Sequence, residues 1–419
     1  MTIMDTVIVG AGQAGLGVSY FLQREGRKHV VFERGRIGES WLAQRWDSFK
    51  LNTPNFMNSL PGLSYDGPEE DGFWRRDELV SYLQSYVESF QLPVQIDTTV
   101  ISIERTDDQE SFVVNTRSDG PIEDCVVCRS VVIASGSLQT PKIPSISSRI
   151  PDGIVQLHTG DYRRPSALPP GAIVVVGSGQ SGCQIAEDLL AAGRTVYLCT
   201  SKVGRAPRRY RGRDIMEWWT EMKFFDVTLA SLEDKSISRA PQPQISGTGR
   251  YGHTVSLQQL AREGVVILGR FRDVKENKLV LGDEAADNVL YADQFSQRMK
   301  DEIDAYIDNT GITLPPLEDD PADEPDYQAV SVSSLRNLDL QKKNISAVIW
   351  ATGFTADFSW IHLPVLDAVG MPVHERGISP VHGLYFIGFP WLSARKSGII
   401  YGIGEDAEYI AQALADQFA

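Results

Sequence analysis

Cysteine is scarce: Cys125, Cys128, Cys183 and Cys199 are the only four in 419 residues. Cys125 and Cys128 have the spacing of a redox pair but lead into the apolar run Arg129 to Ala134. A strand puts residues three apart on opposite faces, away from the helix N-terminus that activates a thiolate. Structural thiols are therefore expected, and no metal site. Long apolar runs are also lacking, since none approaches the roughly 18 residues that cross a bilayer. A basic surplus is missing too: 40 Lys and Arg against 55 Asp and Glu leave a net charge of −15. That balance argues against nucleic acid or an anionic membrane as a partner. No basic residue precedes the first short apolar run, so it reads as a strand rather than a secretory signal, with the cytoplasm as the expected location.

What is present is concentrated in the first 33 residues. The apolar run Thr6-Val7-Ile8-Val9 meets Gly10-Ala11-Gly12-Gln13-Ala14-Gly15, a helical stretch runs to Gly26, and a second apolar run, Val30-Val31-Phe32, closes on Glu33. Gly10 permits the tight turn, Gly12 lets backbone approach a pyrophosphate, and Gly15 lets the helix pack on the sheet. The helix N-terminus offers free N–H groups to phosphate. Glu33 stands where a carboxylate accepts hydrogen bonds from both ribose hydroxyls, which implies an unphosphorylated ADP-ribose half, as in FAD or NAD.

The chain then repeats itself. Ile173-Val174-Val175-Val176-Gly177-Ser178-Gly179-Gln180-Ser181-Gly182 overlays the first motif, and Tyr197-Leu198-Cys199 overlays Val30-Val31-Phe32. At the position of Glu33 stands Thr200, followed by Ser201 and Lys202, so the acid that would repel a 2′-phosphate is absent. Lys202, Arg205, Arg208, Arg209, Arg211 and Arg213 follow with no acid among them. In an acidic chain this suggests an anion site with NADPH as the natural ligand, although a solvated basic loop would carry the same residues.

Between the motifs, Arg34 to Pro54 reads as a helix-free loop whose Trp41 and Trp46 either face a bound ring system or pack in the core. A helix is expected over Asp77–Phe90 with Asp77 as N-cap, and strands over Val94–Ile103, Ser111–Asn115 and Val131 to Ala134, the last ending in Ser135-Gly136. The proline-rich stretch Ile143–Pro170 is the expected crossing between domains. Further helices are expected over Ile215–Phe225, Gln294–Ile307 and Glu405–Phe418, with Pro315–Asp326 an exposed acidic loop. Ala347 to Phe354 repeats the strand-then-small-residue pattern as the return to the first domain. The expected fold is α/β with two Rossmann-like dinucleotide-binding domains: 1–165 with 345–419, and 166–344 inserted.

Two such units, with Leu51-Asn52-Thr53-Pro54 and Ala351-Thr352-Gly353-Phe354, resemble the class B flavin-dependent monooxygenases. Arg208-Arg209-Tyr210-Arg211-Gly212-Arg213-Asp214 and Gly383-Leu384-Tyr385-Phe386-Ile387-Gly388 resemble the CzcO-like flavoproteins in that class. The resemblance implies FAD on the first unit and NADPH on the second, hydride reduction of the flavin, and oxygen addition at its C4a carbon as a hydroperoxide. One oxygen atom from O2 would then reach a small organic substrate at nitrogen or sulfur. Baeyer–Villiger or decarboxylative attack is the alternative, with a disulfide reductase-like enzyme or a non-catalytic NADPH-sensing flavoprotein behind it.

The resemblance makes Asn52 the candidate catalytic residue, an amide beside the flavin. The first unit would bind cofactor through Gly10, Gly12, Gln13, Ala14, Gly15 and Glu33, with Arg34, Trp41, Arg45, Asn52 and Thr53 from its loop. Val100, Ala134, Ser135 and Gly136 complete that side. Gly177, Gly179, Gln180, Ser181, Gly182, Thr200, Ser201, Lys202 and Arg205 would serve the second, with Ala351, Thr352, Gly353 and Phe354 on the return strand. His158 and Tyr162 fall at a family fingerprint where Baeyer–Villiger enzymes carry Trp in place of Tyr162, and His158 is read as a linker residue in the hydrogen-bonding frame. A homodimer is compatible with the sequence but not read from it.

Overall fold

The computed structural model describes residues 3–118, 123–247, 252–326 and 335–417. Its first element is β1 (Met4–Val9), whose Val7 and Ile8 are fully buried, followed by α1 (Gln13–Arg24) and β2 (His29–Phe32). A continuous apolar run suits a parallel strand covered on both faces. β1 pairs in parallel with β2 on one side and with β6 (Glu123–Ile133) on the other. With β3 (Val94–Gln95), β4 (Thr98–Arg105) and β5 (Phe112–Ser118) they form a sheet of order β3-β2-β1-β6-β5-β4. The long β6 does two jobs. Its first half pairs antiparallel with β5, and its last residues pair in parallel with a late strand, Leu384–Phe386.

After β6 the chain crosses through β7 (Thr140–Pro141) and enters a second, parallel sheet. Its members are β8 (Val155–His158), β9 (Ala172–Val176), β10 (Val196–Cys199), Val266–Leu268 and Ile345–Trp350. The helix α4 (Gln180–Ala191) follows β9 as α1 follows β1. Residues 155–158 and 345–350, expected with the first unit, lie in this second sheet: 345–350 pairs in parallel with β9, and 155–158 pairs in parallel with 345–350. The return runs through Phe354–Thr355, antiparallel to β7, to Leu384–Phe386 and a closing helix, Ile403–Gln417, which packs on α1. A Cβ on Gly17 would come 2.9 Å from Ile403, so the bare α-carbon sets that approach.

Several local expectations need correction. The loop after Glu33 contains a short helix, α2 (Glu39–Ala43), entered through Gly38 at φ 69°. The next helix, α3 (Arg76–Phe90), starts before Asp77, because the Glu78 carboxylate accepts the Arg75 N–H at 2.7 Å. Helix α5 (Ile215–Glu221) is shorter than expected, while α7 (Ala285–Thr310) is longer at 26 residues and stops at Gly311, φ 70°. Between them lies α6 (Leu257–Arg262). The acidic stretch before residue 326 is not simply exposed: Ala322 is buried and Asp323 pairs with Arg205 and Lys300. Residue 418, the expected end of the closing helix, lies outside the described residues.

Two apolar clusters underlie the sheets, and a third joins Met57 to Trp218, Trp219, Phe225 and Met299. Among the described residues no helix is long and apolar enough to cross a membrane.

Candidate functional site

The two glycine motifs build the same cradle twice. Gly10 has φ +109°, and a Cβ there would come 2.7 Å from the Ala134 carbonyl oxygen. A Cβ on Gly15 would sit 2.0 Å from the Gly10 oxygen. In the second copy, Gly177 has φ +112°, its Cβ would come 2.4 Å from the Ala351 oxygen, and one on Gly182 would sit 1.9 Å from the Gly177 oxygen. These four glycines are required by protein backbone. Gly12 and Gly179 differ, because a Cβ on either would meet no atom within 4 Å. Each stands before a helix whose N-terminus has no side-chain cap, so open space meets N–H groups and the positive end of a helix dipole.

On the first cradle, Glu33 accepts the Ala11 N–H at 2.9 Å and the Gly35 N–H at 3.1 Å. Those bonds fix the carboxylate at the strand end. Gln13 accepts the Trp41 indole N–H at 3.3 Å, and Arg45 stacks over Trp41 at 5.3 Å. Burial lowers the Arg45 pKa to about 10. Trp46 belongs to the core instead, edge-on to Phe49 at 5.1 Å. Ala14 is buried, Ser135 accepts from Gln139 at 2.9 Å, Gly136 is at φ +74°, Val100 is half-buried and Arg34 is exposed.

On the second cradle the structure corrects two expectations. Thr200 is buried, and its hydroxyl donates to the Leu268 oxygen at 2.7 Å and accepts from Asn288 at 3.1 Å, so it faces the interior. Arg205 is buried between Asp293 at 2.9 Å and Asp323 at 3.0 Å. The rest of the basic run is largely neutralised as well: Arg208 by Asp214, Arg211 by Asp304 and Arg213 by Glu221. Lys202 remains at the mouth, its ammonium 4.7 Å from the Tyr291 ring centroid. It lines a cavity of about 430 Å³ with Ser201, Arg270 and Asp287. Arg270 was not singled out by the sequence; the available signal is a basic residue just past a parallel strand end. A larger hollow of about 600 Å³ lies at the opposite, amino-terminal ends of this sheet's central strands, around Gly171, Arg194 and Asn344. It lies at the end of β9 opposite the second cradle.

Asn52 sits where the halves meet. Its Oδ1 accepts from Gln184 of α4 at 3.3 Å, and its backbone oxygen accepts from Arg208 at 2.8 Å. The Asn52 amide N–H groups have no acceptor among the described residues. Arg208 is buried, bonded to Asp214 through two nitrogens at 2.9 and 3.0 Å, and lies 4.4 Å from the Phe73 ring centroid. One cation of the basic run thus reaches the loop that carries Asn52. Gln180 accepts the Ile245 N–H at 2.6 Å and Gln184 donates to the Ser246 oxygen at 3.0 Å, tying α4 to the segment beyond. Thr53 donates to Asn58 at 2.6 Å, and Ser181 is half-buried beside Gln180.

His158 holds the crossing. Its Nδ1 accepts the Gly160 N–H at 3.1 Å, so Nε2 carries the proton and donates to the Gly353 oxygen at 2.8 Å. Phe354 meets it edge-on at 4.6 Å, and burial holds the imidazole below its ordinary pKa. Thr352 donates to the Lys142 oxygen. Of the return-strand candidates, Ala351 abuts a cradle, whereas Thr352, Gly353 and Phe354 tie the crossing. Cys125 and Cys128 are free thiols on β6, and burial pushes Cys128 up to about 12. Among the described residues no group of His, Cys, Asp and Glu could hold a metal ion.

A family model described as pyridine nucleotide-disulphide oxidoreductase matches residues 7–227. A CzcO-like oxidoreductase of Geobacillus kaustophilus is 33% identical over 411 residues, covering 97% of each chain. A probable indole-3-pyruvate monooxygenase of Arabidopsis thaliana is 31% identical over 254 residues, 59% of this chain and 57% of its own. A solved flavin-containing monooxygenase from Stenotrophomonas maltophilia superposes with a TM-score of 0.65 at 18% identity, covering 100% of both chains.

Proposed function

The chain belongs to the pyridine nucleotide-disulphide oxidoreductase family and, within it, to the CzcO-like class B flavin monooxygenases, and from that premise we propose an FAD- and NADPH-dependent enzyme that oxygenates a small organic substrate at nitrogen or sulfur. The carrying observation is the duplicated cradle with unlike strand ends, Glu33 on one and Ser201-Lys202 on the other. In this reading each half forms a Rossmann-like dinucleotide domain, the second inserted in the first.

When bound, the FAD and NADPH supply the hydride and oxygen chemistry. The chain supplies position and shelter. Gly12 and Gly179 let the two α-helix N-termini approach pyrophosphate, and Glu33 accepts from ribose hydroxyls. Ser201 and Lys202, with Arg270, receive a 2′-phosphate at the mouth of the second sheet. Asn52, held at Oδ1 by Gln184, keeps its amide N–H groups for the reacting centre without adding a charge there. The aromatic cluster of Trp218, Trp219 and Phe225 excludes water from that side.

The test is anaerobic mixing with NADPH or NADH, followed by admission of labelled O2 with an amine, a thioether, a ketone or an aryl pyruvate. The reading requires faster flavin bleaching by NADPH and one labelled oxygen atom in the product. Label from the aryl pyruvate alone favours the decarboxylative reading, which has its own support in the Arabidopsis relative named for indole-3-pyruvate.

A further inference from the structure

The segment after the late strand runs from the first cradle into the third apolar cluster. A Cβ on Gly388 would come 2.7 Å from Ala14 Cβ at the start of α1, while Ile399 and Tyr401 pack with Met57, from the loop that carries Asn52, and with Phe224 and Phe225. Two neighbouring cations on this segment have opposite surroundings. Lys396 is buried, with its ammonium held by Asp226 at 2.8 Å and Glu405 at 2.6 Å. Arg395 has no carboxylate and no side-chain acceptor among the described residues, and its Nε is buried without a partner.

The guanidinium is also walled in by rings. It lies 4.0 Å from the Phe224 centroid and 4.8 Å from that of Trp391. Trp391 has φ 59°, a left-handed backbone that bulky residues rarely adopt, and one that is kept where surroundings impose it. The backbone is pinned: the Arg395 N–H donates to Val227 at 2.8 Å and the Lys396 N–H to Phe225 at 3.2 Å. Taking a cation from water without an anion is unfavourable, and burial accordingly lowers the Arg395 pKa. A half-buried, fixed fork of donors between aromatic faces matches a flat carboxylate with an apolar body.

We propose that Arg395 receives the carboxylate of the substrate, so that the molecule oxygenated is an organic acid with a flat apolar body. This rests on the monooxygenase reading of the same site and names its substrate class. The test uses full-length, FAD-loaded protein without NADPH, titrated with phenylacetate and with its neutral isostere phenylacetamide, and read by tryptophan fluorescence. Phenylacetate binds saturably to the native protein, roughly tenfold or more weakly to Arg395→Gln, and with intermediate affinity to Arg395→Lys, as expected for one lost charge-assisted pair. Phenylacetamide binds weakly and equally to all three. No saturable binding of phenylacetate, equal binding of acid and amide, or an unchanged acid affinity in Arg395→Gln overturns the proposal. So does loss of FAD or an altered unliganded flavin spectrum in Arg395→Gln, which would assign the guanidinium to the cofactor. Where Arg395→Gln fails to give a native circular dichroism spectrum, the ratio of acid to amide affinity in Arg395→Lys decides. Failure of this titration leaves anaerobic reduction by NADPH untouched, so the two readings fail separately.

Discussion

Gly179→Ala separates the cleft from the scaffold. The residue lies at φ −73° and ψ −174°, extended backbone open to alanine, and its Cβ would meet no protein atom within 4 Å. Removing glycine where alanine fits stabilises by about 0.4–1 kcal/mol, and alanine in place of glycine at an N-cap costs about 0.5–1 kcal/mol in return. The melting temperature should therefore stay within about 2–4 °C of the native value. The new methyl instead occupies the path of a pyrophosphate onto α4. Losing one charge-assisted hydrogen bond there costs about 1.5–3 kcal/mol, which weakens NADPH roughly 10- to 150-fold. Gly182→Ala is the control, since its Cβ would sit 1.9 Å from the Gly177 oxygen and must push α4 off the sheet. Differential scanning fluorimetry and the NADPH dependence of anaerobic flavin reduction give both readouts. Unfolding of Gly179→Ala, or native NADPH affinity in a folded Gly179→Ala, would refute the reasoning.

Cys125→Ser should leave NADPH oxidation in air within about twofold, as for a substitution outside the site; abolished turnover in that assay would restore the disulfide reductase alternative. Asp214→Asn leaves Arg208 buried without its anion and should lower stability by about 3–5 kcal/mol in urea unfolding, and a loss under about 1 kcal/mol would mean that the pair is solvated. His29 and His158 are held below their ordinary pKa by burial, so between pH 7 and the folded values the unfolded chain binds more protons. Stability then rises with pH in that window and falls on acidification, by up to about 1.4 kcal/mol per pH unit for each histidine. The urea midpoint should be lower at pH 5.5 than at pH 7, and a flat or higher midpoint would contradict the burial argument.

The cradles were readable because their signals are local: glycine spacing, strand runs and a terminal acid all lie within one βαβ unit, and the second copy repeats the pattern. The fate of the basic run was not. Arg205 finds its partners in Asp293 and Asp323, brought in by α7 and by the acidic stretch, and no local pattern announces such pairs. Thr200 looks like a cleft residue by register, yet the hydroxyl turns inward to Leu268 and Asn288 from distant elements. The short helix α2 escaped because Gly38 and the polar residues around it read as loop, while its cap is a backbone conformation rather than a side chain. Arg395 was invisible for the converse reason: an unpaired charge is defined by what the fold fails to bring near it.

The central claim is that the amino-terminal cradle grips FAD through Glu33 while the middle cradle serves the phosphorylated nicotinamide. Its most direct measurement is the FAD content of purified native and Glu33→Ala protein after gel filtration, with NADPH reduction of added free FAD as a blank. About one FAD per native chain is expected, as one such site implies, and severe loss in Glu33→Ala with a native circular dichroism spectrum. A colourless native protein that refuses added FAD, or a Glu33→Ala variant that retains it fully, would contradict the account.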